Sequence, residues 1–286
     1  PTSPTDSRDR AGLLVMAHGG SDEWNETVAE VVAPVREEVP LAVAFGMADP
    51  ATMADGLDSL RLMGVTHVAV IRMFISGQSF LPQTRYLLGL SDERPEFFVH
   101  AEGESVPPPG MISRGLVVAT HEAGLMDSDE ATLILSERAR ASSNRPEQTS
   151  VLLLAHGMGD EKRNEEVKIA MGRVSAAIAH AGFGSVFAAT LREDWPEKRK
   201  VVERQVREFV GTEAEAGRQV IVVPMRLSGF GPYAEVLDGL EYSSTEGLLP
   251  HPAVTEWIRN TGRRVMCDSG WTSHTASCPT SSLVER

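Results

Sequence analysis

Leu13-Leu14-Val15-Met16-Ala17-His18-Gly19 returns 138 residues later as Val151-Leu152-Leu153-Leu154-Ala155-His156-Gly157. Each copy is a short, continuous apolar run that ends on histidine and glycine. Such a run reads as a strand buried on both faces of a parallel sheet, delivering an imidazole to a glycine-lined loop. Further matches surround the pair. Asp22-Glu23 and Asp160-Glu161 keep the offset, Asn25-Glu26 and Asn164-Glu165 need one inserted residue, and Ser76-Gly77 corresponds to Ser228-Gly229. A repeat of this length predicts two similar α/β lobes.

Working outward, apolar runs alternate with amphipathic stretches. Strands are expected over residues 12–17, 41–45 and 66–73, and helices over 23–38, 50–63 and 81–90. Pro50 after Asp49 marks a helix start, and Gly64 marks its end. A break containing Pro107, Pro108 and Pro109 precedes a strand at 116–120 and a helix at 129–141. After a linker at 142–148, strands at 151–155, 185–189 and 219–223 alternate with helices at 161–181, 196–214 and 232–240. The order implies parallel sheets covered by helices. The expected fold is α/β, with two tandem doubly wound lobes of flavodoxin-like topology facing one cleft. They span residues 11–145 and 146–262, with 263–286 as a tail.

Composition fits this plan. The 286 residues suffice for about two domains, and 42% hydrophobic with 23% charged residues is ordinary for a globular chain. The apolar runs are far shorter than the roughly 20 residues that span a bilayer. Lys and Arg number 27 against 40 Asp and Glu, a net charge of −13, with no basic tract. That balance argues against nucleic acid as partner, and it means an acidic ligand needs a local cluster of Arg. Cys267 and Cys278 both lie near the end, and a disulfide and two free thiols are both open. Residues 1–10 are polar and lack the apolar segment of a signal peptide. The Ser- and Thr-rich stretch 269–286 is expected to be poorly ordered.

In open parallel sheets, ligands bind outside the carboxyl ends of the strands. The segments placed there are His18-Gly19-Gly20-Ser21, Ser76-Gly77-Gln78-Ser79, Thr120-His121-Glu122, His156-Gly157 and Ser228-Gly229-Phe230-Gly231. None is a Walker A loop or a G-x-G-x-x-G fingerprint, which disfavours phosphate-cradling chemistry. His18 suits a metal ligand or proton acceptor. His121, with Glu122 beside it, is expected as a second imidazole at the same crevice. For His156, ligand and scaffold are both open. His67 and His251 are read as structural, and Met47, Met53, Met63, Met73 and Met111 as packing residues.

Taken together, Ala17-His18-Gly19-Gly20-Ser21, Trp24-Asn25, Phe45-Gly46-Met47-Ala48, Phe74-Ile75-Ser76-Gly77-Gln78-Ser79 and Gly247-Leu248-Leu249-Pro250-His251-Pro252 resemble the class II chelatases. The resemblance is to the two-lobe sirohydrochlorin cobaltochelatase, or CbiX-like, type. It implies a lyase-type enzyme of cobalamin biosynthesis that inserts a divalent metal, Co2+, Ni2+ or Fe2+, into a sirohydrochlorin-like tetrapyrrole. It assigns metal and proton to His18; His121 or Glu122, placed at the same crevice by their strand end, are expected to assist, His121 as second ligand. Gly19, Gly20, Ser21, Trp24, Ser76, Gly77, Gln78, Ser79, Phe230 and Arg85 are expected to contact substrate. Arg72, Arg192 and Arg226 join Arg85 as cations for propionate and acetate groups. Gln78 stands where the family carries a second histidine, and Phe230 stands there in the second lobe. The alternative is therefore a non-catalytic tetrapyrrole or metal carrier that has lost that histidine. The family implies the cytoplasm, while a chain opening at Pro1 leaves export open.

Overall fold

The computed structural model describes residues 10–100, 105–271 and Cys278. Two four-stranded parallel sheets organise them. In the first, β1 (Ala11–Ala17), α1 (Asp22–Arg36), β2 (Leu41–Phe45), α2 (Pro50–Leu62), β3 (His67–Arg72), α3 (Leu81–Leu88) and β4 (Val117–Thr120) follow in sequence. The strand order is β2-β1-β3-β4. After α4 (Asp129–Ala141), the second part holds β5 (Thr149–Ala155), α5 (Glu161–His180), β6 (Ser185–Thr190), α6 (Pro196–Glu215), β7 (Gln219–Met225), α7 (Tyr233–Val236) and β8 (Ser243–Ser244). Its order, β6-β5-β7-β8, repeats that of the first. The chain closes with α8 (Pro252–Asp268).

Every residue of β1 and of β5 is buried, because each strand is interior to its sheet and covered on both faces. One side of the first sheet packs Leu14, Met16, Val68 and Val70 against Met53, Leu57 and Leu60 of α2. In the second, Leu152, Leu154, Val220 and Val222 pack with Val206 and Val210 of α6.

Compact units divide the chain differently from the expected 145/146 boundary. One runs to Gly124 and resumes at Thr255, and the other is Leu125–Val254. Helix α4 thus belongs with the second sheet and most of α8 with the first. Thr255 Oγ1 donates to the Val31 carbonyl at 2.7 Å, and Arg259 pairs with Glu38. The tail expected from residue 263 begins later, since α8 continues to Asp268. Cys267 and Cys278 are joined in a disulfide. Residues 1–9, 101–104, 272–277 and 279–286, including most of the expected tail, lie outside the described residues.

The helix expected at 232–240 is a single turn, Tyr233–Val236, and Gly239 just beyond it has φ +76°. The repeat register also shifts. Ser21 caps α1 and Asp160 caps α5, so Asn25 and Asn164 hold equivalent helix positions. The inserted residue therefore precedes the second cap, and Asp22 and Asp160 are not equivalent. Met53 and Met73 are core residues, whereas Met47, Met63 and Met111 are about half exposed, at connections rather than on buried faces.

Candidate functional site

The chain leaves β1 toward β2 on one side and toward β3 on the other, so the carboxyl ends of β1 and β3 form the switch point of the first sheet. The ladder ends there with Gly46 N donating to Ala17 O and Met73 N to Met16 O, both at 2.8 Å. His18 is the next residue. Its carbonyl accepts from Trp24 Nε1 at 2.5 Å, which ties the loop to the first turn of α1, and Ser21 caps that turn through Trp24 N at 3.3 Å. The His18 ring stands edge-on to Phe74 and Phe80, with centroids 4.9 and 6.0 Å away. Burial lowers its pKa, favouring neutral imidazole. Among the described residues neither ring nitrogen has a hydrogen-bond partner. The sequence motifs do not single out Phe80. It opens α3 with φ +54°, a left-handed conformation uncommon for a bulky side chain.

At the ends of β3 and β4 the central group is Arg72, only 1% exposed. Its guanidinium donates to the carbonyls of Gly77 (2.9 Å), Ser79 (3.0 Å) and His121 (2.7 and 3.2 Å). Burial, then Arg85, lowers its pKa to about 10, still charged at neutral pH. Arg72 therefore staples loops together, and its donors are committed, contrary to the expectation of a substrate cation. His121 is likewise removed from the metal site. Its Nε2 accepts from Arg72 N at 2.8 Å, and its other nitrogen is engaged by the Ala123 backbone. Burial, then Arg72, brings its pKa down to about 3. Trp257 of α8 covers the ring edge-on at 5.7 Å. No lone pair is left for a metal.

Gly77 is a packing glycine. A Cβ there would lie 2.1 Å from Glu122 O, and one on Gly124 would lie 2.2 Å from Ile75 O, because the two loops cross backbone against backbone. Ser76 Oγ accepts from Gln78 N at 3.2 Å, while the Gln78 side chain is exposed. Glu122 faces Arg85 at 2.5 Å rather than joining His121.

In the second unit His156 occupies the matching end of β5. Its Nδ1 lies 2.7 Å from Gly157 O, and its Nε2 lies 3.2 Å from Asp194 and 3.9 Å from Glu193. Glu193 also accepts from Arg226 at 2.8 Å. Glu193 and Asp194, which follow β6, escape a reading of the sequence because they sit in a loop without apolar periodicity. Arg192 is buried and bound to Glu161 and the Gly159 carbonyl, so it too is no free substrate cation. Phe230 packs on Tyr233 and Tyr242, at 5.6 and 5.9 Å. His251 Nε2 meets Glu137 at 3.1 Å while its Nδ1 accepts from Ala253 N, a structural arrangement. Among the described residues no three His, Cys, Asp or Glu side chains gather as a metal cluster, and no helix is long and apolar enough to cross a membrane.

Parallel sheets of this order, each with a central strand followed directly by a histidine, give the chain a fold similar to that of solved chelatase structures. Solved structures make the likeness more particular. SirB from Bacillus subtilis with Fe3+ is similar at a TM-score of 0.64 and 14% identity, over 92% of this chain and 98% of that one. The sirohydrochlorin chelatase SirB from Bacillus subtilis subspecies spizizenii, in complex with cobalt, gives 0.60 and 13%, over 91% and 97%. DR2241 from Deinococcus radiodurans, a multi-domain protein with structural similarity to chelatases, gives 0.53 and 17%. The likeness to DR2241 covers 88% of this chain and 55% of that one. No protein-family model matches the sequence, and no curated protein matches it either.

Proposed function

We propose that this protein inserts a divalent metal, cobalt, nickel or iron, into a sirohydrochlorin-like tetrapyrrole. One observation carries the reading. The switch point of a chelatase fold holds an imidazole biased toward its neutral form, with neither nitrogen engaged by the described residues. Insertion requires a donor that holds the incoming metal and acceptors for two pyrrole protons. Neutral His18 supplies the donor, since imidazole suits these ions and protonated imidazole cannot coordinate. Trp24 and Phe80 present aromatic surface next to His18, suited to a flat macrocycle.

Sirohydrochlorin mixed with Co2+, Ni2+ or Fe2+ and the protein should show the absorbance change of metallation well above the spontaneous rate. His18→Ala should lower that rate at least tenfold. A wild-type rate equal to the spontaneous one would overturn the reading. The carrier alternative draws support from Gln78 in place of a histidine. Tight tetrapyrrole binding without metallation would favour it.

A further inference from the structure

The first unit carries an ion pair, Arg85–Glu122, that spans the gap between α3 and the end of β4. Resting on the tetrapyrrole reading above, we propose that Glu122 is a built-in competitor for the substrate's carboxylates, occupying Arg85 until a peripheral carboxylate of the ligand displaces it.

Three observations carry this. Arg85 is 43% and Glu122 66% exposed, so the contact is open to solvent and a ligand can reach it. Exposed pairs hold together weakly because water screens them, so exchanging one carboxylate for another costs little. Glu122 is the single partner of the Arg85 guanidinium among the described residues, which leaves most of its five donors for a bidentate incoming carboxylate. Buried Arg72 lies within electrostatic reach of both groups and cannot itself leave its loop carbonyls. Two cations therefore face one removable anion.

The placement also fits. His18 ends β1 and Glu122 follows β4, with β3 between them. Two strand spacings separate the lines on which they sit, about 10 Å. That is the order of the span from the centre of a tetrapyrrole to its peripheral carboxylates. In a chain of net charge −13 the pair would then select: a ligand without a carboxylate at this position cannot displace Glu122 and gains nothing from Arg85.

Metal-free sirohydrochlorin and its carboxyl-esterified form, titrated by fluorescence against the full chain, test the idea without requiring turnover. Glu122→Gln should tighten sirohydrochlorin about three- to tenfold, Arg85→Ala should weaken it about tenfold, and the ester should respond to neither. In the Arg85→Ala background Glu122→Gln should bring no gain. An equal gain in both backgrounds would reduce the effect to overall charge and overturn the proposal, as would no gain in either. Glu122→Asp, which keeps the charge on a shorter arm, should fall between wild type and Glu122→Gln. Wild type that binds while Glu122→Gln does not improve sinks this proposal alone. Absence of tetrapyrrole binding by every variant sinks the functional reading with it.

Discussion

Replacing His121 with Gln should flatten the acid limb of the stability curve. In the native protein burial and Arg72 hold the His121 pKa near 3, against 6.5 in an unfolded chain. The unfolded state therefore binds a proton over the interval between these values while the native state does not, and stability falls as pH drops from about 6.5 toward 3. Each pH unit in that interval costs about 1.4 kcal/mol per site, so at pH 5 His121 accounts for a loss of about 2 kcal/mol relative to pH 8. Gln keeps an acceptor able to take the Arg72 N–H, now 2.8 Å from Nε2, but does not titrate. Urea unfolding of both proteins at pH 8 and pH 5 measures the difference. His18, whose pKa is also lowered, contributes equally to both and cancels. Wild type should lose about 2 kcal/mol more than His121→Gln between the two conditions. Equal losses would show that His121 protonates freely in the folded protein, and the buried arrangement around Arg72 would be wrong.

Arg72→Met keeps the length of the side chain but strands the carbonyls of Gly77, Ser79 and His121, so denaturant unfolding should report a destabilisation of about 3 kcal/mol. Gly77→Ala should cost more than Gly229→Ala. The first drives a Cβ to 2.1 Å from Glu122 O, a clash of about 2 kcal/mol or more, while the second meets only the strain of φ +69° in open space, about 1 kcal/mol. Equal thermal shifts for the pair would contradict the crossing of the 77 and 124 loops. Gln78→His, at an exposed position beside Ser76, should tighten Co2+ about tenfold, or 1.4 kcal/mol, in calorimetric titration. Unchanged affinity would separate that loop from His18, the proposed metal ligand.

Elements with strong local signals are legible in the sequence itself. The runs ending at Ala17 and Ala155 are interior strands because continuous apolar sequence of that length is stable only with both faces covered. Helix α8 carries a signal that the alternation of strands and helices leaves out: Ala253, Val254, Trp257, Ile258, Val265 and Met266 repeat at helical spacing behind Pro252, and all six are buried. The 232–240 segment misleads because its apolar residues suit a helix, whereas Phe230, Tyr233 and Leu237 are drawn into the second unit's core across a tight turn. Two residues, Ser243 and Ser244, join β7 through backbone pairing and one bond from Ser243 Oγ to the Val220 carbonyl, which apolar side-chain pattern cannot report.

The site divides in the same way. Sequence alone determined that His18 and His156 end interior strands, since apolar periodicity and the glycines that follow are local properties of the chain. Tertiary structure decided which of the polar residues stay available. Arg72, His121 and Arg192 carry side chains as reactive as those of His18 or Arg85, yet carbonyls and a backbone N–H hold the first two, while Glu161 and the Gly159 carbonyl hold the terminal nitrogens of Arg192 and leave its buried Nε without a partner. Hydrogen bonds of that kind join residues up to 49 positions apart. Only the closed fold sets their partners, because burial forces each polar group to find one wherever the backbone has placed it.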